Sequence, residues 1–107
     1  MPISDRLPDY QPERLGELVP EHLHGGLRRY IEQGLRPGGA LWAILCNGPA
    51  FSVLAKCDDE VAPRLRDIYR FLYTYAPGRC WGTQELCEAW LVARSAVVAA
   101  AAAEAAG

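Results

Sequence analysis

Two helices must meet within the stretch Tyr30-Ile31-Glu32-Gln33-Gly34-Leu35-Arg36-Pro37-Gly38-Gly39-Ala40-Leu41. Gly34 can take the left-handed backbone that ends a helix, Pro37 cannot continue one, and the apolar run Ala40-Leu41-Trp42-Ala43-Ile44-Leu45 follows at once. Punctuation this close folds the chain back on itself as packed helices. The stretch itself carries no chemistry.

With 107 residues, half of them hydrophobic, the chain has the size of one domain and enough apolar side chains for a single core. A chain of this length hides only about 60–70% of the surface it exposes when unfolded. The core is therefore small, and a homodimer is an open route to enlarging it.

The net charge of −2 is unevenly spread. Residues 1–27 carry −3, residues 28–79 carry +3 and residues 80–107 carry −2. A dedicated DNA-binding domain has a stronger basic footprint than this middle segment, and a DNA mimic is far more acidic. Charge favours neither, so direct nucleic-acid binding is not expected.

No segment has the basic start, apolar middle and small-residue cleavage site of a secretory signal. The longest apolar run, in the Ala-rich tail, is interrupted by Glu104. A soluble, intracellular protein without a membrane partner is expected, in which Cys46, Cys57, Cys80 and Cys87 remain free thiols.

Pro2, Pro8 and Pro12 interrupt any helical pattern before Leu15, so residues 1–19 read as an arm outside the core. Leu23, Leu27, Tyr30 and Ile31 predict a helix over 20–33, with Pro20 in its first turn. Gly25 and Gly26 inside it each cost about 1 kcal/mol relative to Ala, which suggests a close helix contact. A second helix is expected over 38–46, ended by Asn47-Gly48, and a third from Pro49 to Lys56, burying Phe51 and Leu54.

Asp58 and Asp59 are candidate caps for the fourth helix, where Val61, Leu65, Ile68, Leu72 and Tyr75 make an apolar stripe that Pro77-Gly78 stops. Thr83 is placed to cap the last helix, with Leu86, Trp90 and Leu91 as its stripe. Beyond Ala93 the alanines favour helix but offer little surface to pack, so a helical tail is expected that loses its tertiary hold and frays. The fold class is thus all-α, a compact domain of four or five short helices: an arm (1–19), a helical domain (20–92) and an Ala-rich tail (93–107).

Enzymatic chemistry finds little support. Successive cysteines are separated by ten, twenty-two and six residues, without the tight paired knuckles of structural zinc sites, even with His22 and His24 counted. Cys87 lies in the first turn of the last predicted helix, where a thiolate is favoured, but no ordered Cys–His arrangement can be read beside it. The glycines of 25–26 and 37–39 lack the strand and the lysine of a phosphate loop. No catalytic residue, metal or cofactor is expected.

The aromatic residues point instead to recognition. A small domain cannot fully bury three tryptophans and five tyrosines, and those left exposed beside arginine reproduce the Tyr, Trp and Arg composition of interface hot spots. Arg66, Arg70, Tyr73, Arg79 and Trp81 are the candidate partner-binding residues.

The strings Tyr30-Ile31-Glu32-Gln33-Gly34-Leu35-Arg36-Pro37-Gly38-Gly39 and Phe71-Leu72-Tyr73-Thr74-Tyr75-Ala76-Pro77-Gly78-Arg79-Cys80-Trp81-Gly82 resemble small proteins carried by bacteriophages and prophages, over about residues 20–92. The acidic stretch Asp58-Asp59-Glu60 adds to that resemblance. The group has no assigned reaction. The resemblance implies a protein of the bacterial host cytoplasm that inhibits a host protein or nucleoprotein complex by binding it, a CRISPR effector complex being one candidate partner. Two other roles compete with it. A small DNA-binding regulator would use the helices at 38–46 and 49–56 as a helix-turn-helix, although Lys56 alone supplies charge there. A virion or assembly component would self-associate through apolar faces.

Overall fold

Gly34 ends its helix in the left-handed conformation, at φ 70° and ψ 34°, and its N–H donates to the Tyr30 carbonyl at 3.0 Å. In the computed structural model, which describes residues 10–106, this break separates the second and third of six α-helices. They are α1 (Leu15–Leu18), α2 (Glu21–Gln33), α3 (Gly39–Leu45), α4 (Ala50–Lys56), α5 (Leu65–Tyr75) and α6 (Gln84–Ala106), with 3-10 turns at Pro12–Arg14, Ala62–Arg64 and Gly78–Cys80. The domain is all-α, with no strand among the described residues. Residues 1–9 of the expected arm, and the expected burial of the Phe51 side chain, lie outside the described residues.

The rest of the arm differs from expectation. Leu15 and Val19 are buried in the core, and α1 is the additional helix. Polar contacts hold the segment at both ends. Tyr10 Oη donates to Glu32 at 2.7 Å, Gln11 N–H donates to the Tyr75 carbonyl at 2.8 Å, and Arg64 donates to the Glu17 carbonyl at 2.9 Å. Pro20 and Pro49 stand one residue ahead of α2 and α4, as caps, instead of inside the first turns.

Pro63 divides the expected fourth helix. Asp58 Oδ1 accepts the N–H groups of Glu60 and Val61 at 3.0 and 2.8 Å, a 3-10 turn follows, and α5 begins only at Leu65. Val61, Ile68 and Leu72 of the predicted stripe are buried, joined by Phe71. Leu54, expected inside, is 49% exposed, and Val53 fills that position in the core.

The central seam lies between α2 and α6. The last carbonyls of any helix have no partner within it, and here α6 supplies three donors. Trp90 Nε1 donates to the Tyr30 carbonyl at 3.2 Å, Arg94 Nη2 to that of Glu32 at 2.8 Å, and Ser95 Oγ to that of Gly34 at 3.1 Å. The Arg94 cation also complements the negative end of the α2 dipole, which explains a buried arginine. In return Tyr30 Oη donates to the Cys80 carbonyl at 2.6 Å.

A Cβ at position 34 would lie 2.8 Å from the Leu91 carbonyl oxygen and the Ser95 nitrogen, so Gly34 also admits the α6 backbone. Thr83 caps α6 as expected, its Oγ1 accepting the Leu86 N–H at 3.1 Å. The buried stripe of α6 runs through Cys87, Trp90 and Arg94, while Leu86 is largely exposed. The helix continues to Ala106, with residues 98–105 exposed. Among the described residues α6 is the one helix long and apolar enough to cross a membrane, yet its first half is committed to the core.

Candidate functional site

Arg66, Tyr69, Arg70, Tyr73 and Thr74 recur at the three- and four-residue spacing that places them on one face of α5. The opposite face carries Ile68, Phe71 and Leu72 into the core, so burial fixes which way the first set points. Trp81 reaches the same face from another segment. It follows the 3-10 turn Gly78–Cys80 in extended conformation, and the next N–H, of Gly82, donates to the Leu45 carbonyl at 2.8 Å. Gly82 has φ 120°, which a side-chain-bearing residue rarely adopts, and this turn carries the chain on toward α6.

Together these six residues line an open groove of about 440 Å³. Its wall is the pair Tyr69 and Trp81, whose ring centres lie 6.1 Å apart at 44°. Tyr73 stands at its edge, 83% exposed. Burial, with a smaller effect of the nearby Cys57 thiol, raises the Tyr69 pKa, so this hydroxyl stays protonated and can donate.

Of the five candidate residues, Arg66, Arg70, Tyr73 and Trp81 line the groove, whereas Arg79 is exposed on the 3-10 turn and does not. Tyr69 and Thr74 complete the lining. Spacing from Tyr73 and Arg70 on the same helix was the available signal for them. Tyr75 turns away, with the Arg14 guanidinium 5.1 Å from its ring centre and Phe71 at 6.4 Å.

Among the described residues the charge of the groove is uncompensated. Arg14 pairs with Glu17, Arg28 with Glu32 and Arg64 with Asp67, but Arg66 and Arg70 pair with no carboxylate among the described residues. The surface thus combines two free guanidinium groups with exposed and half-buried aromatic rings. It offers stacking, apolar contact and two charge-assisted donors. It offers no nucleophile with an adjacent base.

The other chemically suggestive residues are engaged structurally. All four cysteines are free thiols. Burial pushes the Cys46 and Cys80 thiols up to about 12 and also raises Cys87, the reverse of what the helix start was expected to do for a nucleophile. No group of three His, Cys, Asp or Glu residues among the described residues is arranged to hold a metal. His22 lies 3.3 Å from Asp58 and 3.1 Å from Glu60, and His24 Nε2 is 2.5 Å from the Val19 carbonyl. No family model matches this chain, and no curated protein or solved structure shows significant similarity to it.

Proposed function

We propose that this is a non-enzymatic binding protein that uses the α5 groove to hold an acidic segment of a partner protein. The observation that carries this reading is the convergence of Arg66, Arg70, Tyr73 and Trp81, selected by residue type, on one open groove whose cations pair with no carboxylate among the described residues. Aromatic and arginine side chains of this kind contribute most of the energy in protein interfaces. Carboxylates on the partner supply the missing charge, and its apolar groups cover the rings.

Combined with the resemblance to phage and prophage proteins, this reading makes the chain a stoichiometric inhibitor of a host protein or nucleoprotein complex in the bacterial cytoplasm, an anti-CRISPR protein being one version. The DNA-regulator alternative gains less support. Val53 of α4 is buried, and Leu54, Ala55 and Lys56 leave one cation to face a groove of DNA. The assembly alternative is supported by the exposed apolar surface of α6, where Val92 is 73% exposed.

The test is affinity capture of the tagged protein from its bacterial host with and without nuclease, followed by direct binding of the recovered partner. A saturable, nuclease-resistant complex that is weakened at least tenfold by Tyr73→Ala with Arg70→Glu, at unchanged helicity and melting temperature, supports the reading. Normal binding by that variant sinks the groove assignment. Recovery of DNA alone points to the regulator, and recovery of only the chain itself or of phage structural proteins points to assembly.

A further inference from the structure

A second concavity, sharing no residue with the α5 groove, opens where α2, the start of α3 and the end of α4 converge. It is a pocket of about 380 Å³, within the several-hundred-Å³ range of small-molecule sites. Leu23, Leu41 and Val61 contribute apolar lining, and Arg29 and Lys56 contribute cations from two different helices. Neither cation pairs with a carboxylate among the described residues.

The carboxylate that lines the pocket is already engaged. Asp58 accepts two backbone N–H groups through Oδ1 and faces His22 through Oδ2, while Glu60 takes the other ring nitrogen of His22. The Val61 N–H is the main reason that the Asp58 pKa lies below its ordinary value, so this group stays an acceptor bound to its own turn. The local acidic charge therefore leaves Arg29 and Lys56 unsatisfied.

Glycines keep the space clear. A Cβ at Gly38 or Gly39 would meet no other atom within 4 Å, so nothing fills the cavity from that side. At Gly25 a Cβ would lie 3.0 Å from Arg29 Nη1, so the guanidinium folds back along α2 over a position that carries no side chain.

From this combination of apolar lining, two unpaired cations and glycine-cleared space we infer that the pocket binds a small organic anion, its phosphate or carboxylate head on Arg29 and Lys56 and its apolar body on Leu23, Leu41 and Val61. The two heads share one recognition chemistry, since guanidinium and ammonium groups donate charge-assisted hydrogen bonds to either. The inference is independent of the partner-binding role of α5.

Amide-resolved NMR titration of the full chain tests it with phenyl phosphate, benzoate and adenosine monophosphate, alongside phenol, adenosine and inorganic phosphate. At least one organic anion is expected to give saturable shifts in residues 22–29, 38–41 and 56–61 with Kd below about 1 mM. Its uncharged counterpart, and inorganic phosphate, should bind at least tenfold more weakly. Stronger response to the phosphate or to the carboxylate identifies the preferred head.

Arg29→Ala and Lys56→Ala each remove an exposed, unpaired charge and should weaken binding several-fold with the amide spectrum otherwise preserved. Three results overturn the inference. They are no saturable shift with any of the three anions up to about 10 mM, equal binding of the uncharged counterparts, or binding undiminished in the Arg29→Ala, Lys56→Ala double variant.

Discussion

Tyr30 and Trp90 at the α2–α6 seam, and Tyr73 and Trp81 at the α5 groove, are the same two residue types put to opposite uses. At the seam both rings are buried and both polar atoms are spent on backbone carbonyls, Tyr30 Oη on Cys80 and Trp90 Nε1 on Tyr30. At the groove Tyr73 is mostly in water and Trp81 is half-buried against Tyr69. A tyrosine or tryptophan fits the interior only where its polar end finds a partner, and the seam offers helix-end carbonyls while the groove does not. The aromatic count alone therefore says little about a small domain. What matters is which rings the helix ends recruit.

The sharpest way to break this contrast is to empty the seam. Trp90→Ala leaves a cavity and removes one of the two hydrogen bonds to the Tyr30 carbonyl, and should cost about 3–5 kcal/mol, enough to unfold much of the population of a marginally stable domain. Chemical denaturation followed by circular dichroism measures this, and a loss below about 1 kcal/mol would mean that α6 is not part of the cooperative core. Gly34→Ala comes next. The left-handed backbone and the 2.8 Å approach of α6 each oppose a side chain, for an expected loss of about 2–4 kcal/mol. If this variant melts like the parent, the close approach of α6 is wrong.

The seam also predicts a dependence on pH. Burial raises the folded-state pKa of Cys80 to about 12, from 9.0 for an unburied thiol. The neutral thiol is thus favoured by folding, so its contribution is complete below pH 9.0 and is lost as pH rises toward about 12. By pH of about 10.5 the loss from this group is about 2 kcal/mol. Cys46, Cys87 and Tyr30 shift in the same direction for the same first cause. Thermal melts between pH 8 and 11 should show falling stability, with a shallower fall in Cys80→Ala. An equal slope in that variant removes Cys80 from the explanation.

Much of the helix punctuation was legible in the sequence, because it rests on local rules. The Gly34 end of α2, the Asn47 turn with its positive φ, and the Asp58 and Thr83 caps all follow from the residue at one position. The features that were not legible depend on distant partners. Leu15 and Val19 join the core although prolines flank their segment, since α5 and its neighbours supply the docking surface that local periodicity cannot reveal. Arg94 is buried because α2 happens to end beside it, and a charge in an alanine-rich run gives no hint of that.

Pro63 should have signalled the late start of α5, but the apolar stripe passes through it unbroken. In the groove, Arg70 and Tyr73 could be selected by composition and helix face, while Arg79 sits on a turn whose direction only the fold determines. The pocket around Arg29 and Lys56 was invisible for the same reason, being assembled from separate segments.

The smallest edit gives the cleanest comparison. Tyr30→Phe and Tyr73→Phe each delete one hydroxyl and nothing else, so their difference isolates what the two environments do with it. At position 30 the hydroxyl bonds the Cys80 carbonyl at 2.6 Å inside the core. Its loss leaves the buried Cys80 carbonyl with only the long, weak Cys87 Sγ donor at 3.6 Å, and the expected cost is about 1–2 kcal/mol. At position 73 the hydroxyl has no partner among the described residues and its ring is 83% exposed, so stability should change by less than about 0.5 kcal/mol. Denaturation midpoints of the two variants, measured side by side, decide the matter. Equal losses would mean that Tyr73 is held in the fold and that the groove edge is not free to receive a partner. With the stability of Tyr73→Phe unchanged, any loss of partner binding by that variant belongs to the hydroxyl, and retention of binding would assign the contribution of Tyr73 to its ring.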